Sequence, residues 1–448
     1  MQLDRHDGSV DQGLDADWYL WRVTESAVPD AIVVGGGLAG LRASRDLIAA
    51  GRSVTLLEAR DRVGGRALTA RLGDRAVELG GSWFTPEHRE VIAELERYGL
   101  AVRDFPLPRH ARWRTDGVLR HGLPVPWTDL GVLERALARI SADADALARG
   151  PVAASEMSAA TYIDRLDPTP AVRDFLLGWW QLMGGAPPER GAAIDALSSI
   201  AAHGGLAGLV TCLAHGPAEG WSRLAEVLAE TPGLELRLNA TVTGIHVDAT
   251  GVTCTLPGGH AVRGRVLVLA VPINCLPAIA FEPRLPARIE DAAGANAGAA
   301  FKVVLRVRGV EPHGIAVGIG HGLHWWHVDD REGDLTRMTA FGWAGTAFDP
   351  ESRADIEHAL AAFFPEAELV DWLHHDWIAD PASRGTWLTA PAGQTELIDP
   401  ARFQPVGPVV FAGSDVATYE AGWFEGALRS GASAALTVRG MLAATEAA

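Results

Sequence analysis

Ala31-Ile32-Val33-Val34-Gly35-Gly36-Gly37-Leu38-Ala39-Gly40 is the stretch on which the fold turns. A short apolar run leads into a glycine turn, a helix-like stretch continues to Ala50, and Ser53 to Leu57 forms a second strand-like run. Gly35, Gly37 and Gly40 fill the GxGxxG spacing. The first glycine permits a tight turn, the second lets the backbone approach a pyrophosphate, and the third allows close packing of helix on strand. The helix N-terminus then directs unpaired N–H groups at the phosphates. Glu58 closes the second strand eighteen residues after Gly40, where a carboxylate accepts hydrogen bonds from ribose hydroxyls. The glycine spacing alone is a weak signal. With both strands and the acid in place it predicts a dinucleotide site.

Directly after Glu58 the chain reads Ala59-Arg60-Asp61-Arg62-Val63-Gly64-Gly65-Arg66, and later Glu78-Leu79-Gly80-Gly81-Ser82-Trp83. A glycine pair flanked by arginines suits a loop lying against a charged, extended cofactor, with N–H and guanidinium groups addressing its phosphates. A surface turn with solvated arginines would account for either segment alone, but poorly for both in this order. On these residues the chain resembles the flavin-containing amine oxidase family, which includes the monoamine and polyamine oxidases. Leu57 to Arg66 looks like that family's FAD signature, and Gly80-Gly81-Ser82-Trp83 looks like its next cofactor contact. The similarity runs from about residue 29 to about 440, most specific near the two ends and loose in the middle.

Composition narrows the setting. A chain of 448 residues exceeds what one hydrophobic core ordinarily organises. The net charge of -17 argues against a nucleic-acid partner, which would demand clustered basic residues. Cys212, Cys254 and Cys275 are odd in number and lack metal-like spacing, which points to a reducing compartment. Met1 to Pro29 is polar and acidic, with no basic segment leading into an apolar run, so neither a secretory signal nor a membrane span is expected and the localisation expected is cytoplasmic. The patch Asp17-Trp18-Tyr19-Leu20-Trp21 is a candidate for pinning this arm to the body of the protein. Oligomeric state is open, a homodimer included. Of 39 basic residues, 38 are arginine and one, Lys302, is lysine. A surviving lysine among so many arginines asks whether a compact ammonium is needed where it sits.

Between Leu234 and Pro272, alternating runs around Leu236 to Leu238, Val242 to Asp248 and Val252 to Leu256 predict a small sheet, which feeds the buried strand Val266 to Val271. Val409 to Asp415 is another buried strand ending in a small turn, with Asp415 at its end, Phe424 to Leu442 reads as a helix, and the alanine-rich stretch Leu133 to Gly150 reads as an exposed helix. The fold expected is α/β: a Rossmann-like FAD-binding domain from residues 29–85, 215–300 and 395–448, a mixed α+β substrate domain from 86–214 and 301–394, and an arm at 1–28. By the resemblance, the backbone of Val242 in Asn239-Ala240-Thr241-Val242 lies near the adenine, Asp415 contacts the ribityl chain, and the helix opening at Phe424 faces the pyrimidine edge of the flavin.

The resemblance also implies the chemistry. Trp423, in Ala421-Gly422-Trp423-Phe424-Glu425-Gly426, stands where many relatives carry one tyrosine of an aromatic cage, and Trp387, in Ser383-Arg384-Gly385-Thr386-Trp387, is the second wall. Indole faces attract a cation or the electron-poor C–H bonds beside nitrogen. Trp343 is a weaker candidate for the pocket. Thr386 stands where relatives with covalent FAD carry cysteine, so FAD is expected to bind non-covalently. Lys302 lies in Ala300 to Val307, where alternation puts Phe301, Val303, Leu305 and Val307 on one face and Lys302 on the other; the family's lysine in such a strand reaches a water beside flavin N5. His321, His324 and His327 lack acidic or thiol companions, so no metal site is expected, and His374-His375 reads as solvated. The expected activity is oxidation of an aryl-bearing or cyclic amine to an imine, with O2 or another acceptor reoxidising the flavin. An L-amino-acid oxidase is the alternative, and a flavin-binding protein without turnover a remote one.

Overall fold

The structure, a computed structural model, describes residues 28–447 apart from 106, 148 and 151. Most of the N-terminal arm, with its Asp17 to Trp21 patch, lies outside the described residues. A five-stranded parallel sheet runs in the order Val409–Phe411, Val266–Leu269, Ala31–Val34, Val54–Leu57, Leu234–Arg237. Its four leading strands are buried throughout, as continuous apolar runs in a sheet covered on both faces require. On one face, helix Leu38–Ala49 packs against helix Phe424–Ala447 and the sheet. A Cβ on Gly431 would stand 2.2 Å from the Ala39 carbonyl oxygen, so glycine sets how closely the two helices approach. The other face is covered by a four-stranded sheet, Ala261–Gly264, Gly251–Thr255, Gly244–Asp248 and Ala280–Glu282.

One strand departs from expectation. Leu234–Arg237, read as part of the small sheet, pairs in parallel with Val54–Leu57 and forms the edge of the large one. An edge strand is only half covered, so its sequence alternates like a strand with one wet face.

A second, seven-stranded sheet is ordered Glu368–His374, Ala300–Arg308, Leu335–Trp343, Trp325–Glu332, Gly314–Gly318, His110–Thr115, Val118–His121. Successive residues of a strand face opposite ways. Trp326 accordingly joins Val303, Leu305 and Met338 beneath helix Arg353–Phe363. Trp325 turns to the other face, under helices Pro170–Met183, Ile194–Ala202 and Leu130–Leu147. The last of these is the alanine-rich helix expected to be exposed. Instead it buries Leu133, Ala136, Ile140 and Ala144, a stripe at helical spacing whose small alanines permit close packing.

Candidate active site

A cavity of about 1310 Å³ lies between the parallel sheet and the helical layer over the second sheet. Apart from Gly40 and the weaker candidate Trp343, every residue assigned to the site from sequence lines it. One side is made of backbone. Gly35 has φ +104°, and a Cβ there would meet the Ala270 carbonyl oxygen at 2.6 Å. A Cβ on Gly40 would meet the Gly35 carbonyl oxygen at 2.0 Å, so Gly40 stands behind the wall and seats the helix against the turn. Gly37 and Gly65 face one another so closely that a Cβ on Gly65 would lie 3.1 Å from the Gly37 Cα. The N-cap of helix Leu38–Ala49 is Gly37, which has no side chain to satisfy the first N–H groups. Two bare glycine turns below an uncapped helix N-terminus match the donor set a pyrophosphate needs.

Glu58 is 3% exposed, and its carboxylate accepts from the N–H groups of Gly36 at 2.6 Å and Arg60 at 2.9 Å, which fixes it at the cavity wall. The flanking arginines spend donors on protein groups. Arg60 binds Asp380 at 2.8 Å and Ser383 Oγ at 2.7 Å; Arg66 binds the Thr386 carbonyl at 2.6 Å, Ser414 Oγ at 2.7 Å and Asp415 at 2.6 Å. Asp415 was expected at the end of a strand. It lies in the single turn Ser414–Val416 beyond Val409–Phe411, where Oδ2 accepts from the Ile273 N–H at 3.2 Å. Val242 is buried in the same wall. Gly81 makes room for Phe424, whose ring a Cβ on Gly81 would meet at 2.6 Å and which packs 4.1 Å from the Trp221 ring. Thr386 is buried, lines the cavity, and accepts at Oγ1 from the Ala300 N–H at 3.4 Å.

Lys302 is 5% exposed and lies on the cavity side of its strand. Its Nζ donates to the Gly80 carbonyl and, at 2.8 Å, to Ser82 Oγ, with the Phe341 ring 6.0 Å away. Burial pulls this ammonium from the ordinary lysine range down to about 7, with Glu78 opposing the fall. Phe341 also meets Trp387 and Trp83 with ring centroids 6.2 and 6.1 Å apart, which gathers lysine and indoles around one phenyl ring.

The opposite side is formed by side chains from separate helices: Trp179 and Met183, Asp195 and Ser199, Leu209, Cys212 and Leu213, with Trp387 and Trp423. Trp423 is held between His88 and His203, at ring distances of 5.2 and 5.9 Å. Asp380, Glu396 and Asp399 line the cavity without having been singled out from sequence, and on this side so do Asp195 and Glu420. Asp195 opens helix Ile194–Ala202 and accepts from the Ala390 N–H at 3.1 Å; burial pushes its carboxyl well above the usual range, against that hydrogen bond. Glu420, at φ +51°, has its side chain 7% exposed and 3.7 Å from His88 Nε2. An isolated acid among apolar residues was the available signal for Asp195. Burial pushes the Cys212 and Cys275 thiols up to about 12 and about 11, so both stay protonated at neutral pH.

Two expectations fail. Trp343 does not line the cavity; it packs with Trp180 and Ala159 and against the His324 ring at 4.3 Å, because alternation carries it to a different layer of the helical face. His375, read as solvated, lines the cavity and bonds to Asp380 at 3.0 Å. His321 meets His358 at 2.6 Å, while His324 and His327 are buried, and burial lowers the pKa of each.

With this geometry in hand, comparisons give a consistent result. A family model described as flavin containing amine oxidoreductase matches residues 38–439. (S)-6-hydroxynicotine oxidase of Paenarthrobacter nicotinovorans is 33% identical over 425 residues, spanning 90% of this chain and 97% of that protein. Pseudooxynicotine dehydrogenase of Pseudomonas sp is 28% identical, spanning 90% of this chain and 84% of its own length. The solved structure of a putrescine oxidase double mutant, redesigned in its cofactor binding, superposes with a TM-score of 0.80 at 25% identity, covering 92% of this chain and 99% of the other.

Proposed function

The chain belongs to the flavin-containing amine oxidoreductase family, and within it we propose that this protein oxidises the C–N bond of an aryl-bearing or cyclic amine. Held along Gly35, Gly37, Glu58 and Gly65, FAD would supply the acceptor for a hydride equivalent from the carbon beside the nitrogen, and water would hydrolyse the imine product to a carbonyl compound and an amine. What remains for the protein is to bind, orient and hold protons. Trp387 and Trp423 wall the approach on two sides, and their faces favour a flat substrate carrying an electron-poor C–H. An apolar lining disfavours the ammonium form, so the nitrogen lone pair is free when the amine is in place. Lys302, anchored on Gly80 and Ser82, holds water at the cofactor side of the cavity and assists reoxidation. Asp195, whose burial favours the protonated acid, offers an O–H or an acceptor to a polar ring substituent.

The observation that carries this reading is the distribution of charge along the cavity. Among the described residues lining it, the arginines are Arg60, Arg62, Arg66 and Arg384, all from the cofactor-side loops. The helical side presents Asp195, with Glu420 beside Trp423. A site for an amino-acid carboxylate would demand a guanidinium there. Asp195 as a protonated acid beside the indoles suits a neutral amine, which needs no countercharge. Substrate of the relative named for hydroxynicotine, a ring-bearing amine, fits the same chemistry. FAD binds non-covalently, since Thr386 has no sulfur to form a thioether and the lining thiols are protonated; acid precipitation is expected to release the yellow colour into the supernatant. O2 is the proposed acceptor, with H2O2 as product.

The test is a screen of primary, secondary and cyclic amines beside L-amino acids, read once as peroxide and once with an artificial electron acceptor. Turnover of cyclic or aryl amines is expected. Activity confined to L-amino acids would overturn the substrate class, and turnover only with the artificial acceptor would overturn O2.

A further inference from the structure

Behind Ser82 and Trp83 lies a second, smaller chamber of about 50 Å³. Ser82 and Trp83 line both spaces, so two adjacent residues form the partition between them. The chamber wall is strongly polar: Glu78, Arg103, His327, Asp329, Arg337 and Thr339 all contribute. Two buried polar atoms in this wall, Glu78 Oε2 and Trp83 Nε1, have no hydrogen-bond partner among the described residues. The other oxygen of Glu78 is fully engaged, accepting from Thr69 Oγ1 at 2.9 Å and the Trp221 N–H at 3.0 Å. A chamber of this size holds a few water molecules, each needing roughly 10–15 Å³ and two to four polar partners. An acceptor and a donor left over in one small space are what such water would bind.

Across the partition, Lys302 Nζ donates to Ser82 Oγ and to the Gly80 carbonyl, two residues along the chain from Glu78. We infer that Glu78 is a positioning residue that, through water held in the chamber behind Ser82 and Trp83, sets whether Lys302 carries a proton. The pair keeps one proton between a buried carboxylate and a buried amine, so the site as a whole stays near neutral charge while that proton remains available at Nζ. Its direction of influence is consistent with the burial-driven fall of the lysine and the burial-driven rise of the carboxyl, each opposed by the other group. The remaining charges nearby are internally matched. Arg306 on the same strand pairs with Asp371, and Arg66 across the cavity pairs with Asp415. At the far end of the chamber, Asp329 is bound by both Arg103 and Arg337, beside His327. Among the described residues, Glu78 is therefore the acid that acts on the lysine and has no basic partner in an ion pair. The relevance to catalysis rests on the amine-oxidase reading; the titration of Lys302 does not.

Because Lys302 is the single lysine in the sequence, [ε-13C]lysine labelling of the FAD-loaded enzyme gives one side-chain signal and requires no assignment. In the wild type that signal is expected to titrate near neutrality, far below the ordinary value of about 10.4. Glu78→Gln is expected to lower the midpoint by about one pH unit, because an opposing charge favours the ammonium. Glu78→Asp, which keeps the charge but withdraws it, is expected to fall between the two and serves if Glu78→Gln does not fold. The pH limb of flavin reoxidation is expected to move with the midpoint. A crystal structure of the holoenzyme is expected to show water within hydrogen-bond distance of Glu78 Oε2. A wild-type midpoint at the ordinary lysine value, a midpoint indifferent to both substitutions, or a dry chamber would each overturn the inference. Loss of amine turnover alone would bear on the proposed function and leave the lysine result standing.

Discussion

The two sides of the large cavity are built on different principles. The cofactor side is backbone: glycine turns at Gly35 to Gly40 and Gly64-Gly65, with Glu58, Arg60 and Arg66 locked by hydrogen bonds to neighbouring loops. On the amine side there are side chains from three helices and two distant loops, packed together without a shared motif. A large, fixed, charged ligand needs N–H groups at set distances, and only particular glycines let the chain come that close. A small, mostly apolar substrate needs shape, and many combinations of side chains provide shape. The first side is thereby constrained residue by residue, whereas the second is free to vary while its volume is kept.

Substitutions separate the two. Gly40→Ala is expected to have the largest effect, since its Cβ has no room beside the Gly35 carbonyl; bound flavin absorbance should be lost and stability should fall by several kcal/mol, read by thermal unfolding. Retained flavin would show that the turn tolerates change as the amine side does. Lys302→Met is expected to slow reoxidation by a factor on the order of 10² with amine KM little changed, measured by stopped flow in separate half-reactions. An unchanged reoxidation rate would remove the lysine from the cofactor side. Asp195→Asn, at the amine side, is expected to alter KM by roughly two- to tenfold through one hydrogen bond, with flavin content and reoxidation intact. A loss of flavin in that variant would erase the distinction between the sides.

The same contrast explains what could be read from sequence. Gly35, Gly37, Glu58 and Gly65 are close in the chain, and their spacing carries their geometry. Lys302 stood out through its isolation among arginines, but strand alternation left it on the same face as Arg306, open to solvent, and only the family resemblance turned it toward the cofactor. Asp195 and Glu420 carried no such mark, because they come into one cavity only when helix Ile194–Ala202 and the loop before Phe424 fold over the sheet. Trp343 obeyed alternation, but alternation names a face of the sheet and not the layer above it. His375 looked solvated because Asp380, its partner, is brought beside Arg60 by a loop. Leu234–Arg237 alternated as an edge strand must, and periodicity could not say which sheet owned the edge.

The contact of helix Leu38–Ala49 with helix Phe424–Ala447 has a temporal side as well. Some 370 residues separate the two. At synthesis rates of roughly 5–20 residues per second, the glycine turn waits on the order of 20–80 s for the helix that covers it. During that interval the first strands have no lid, and the dinucleotide cradle is unfinished until nearly the whole chain has emerged. Acquisition of flavin is thus expected only once synthesis is complete, and a ribosome stalled before Phe424 would carry a chain with the FAD signature and no finished place to hold it.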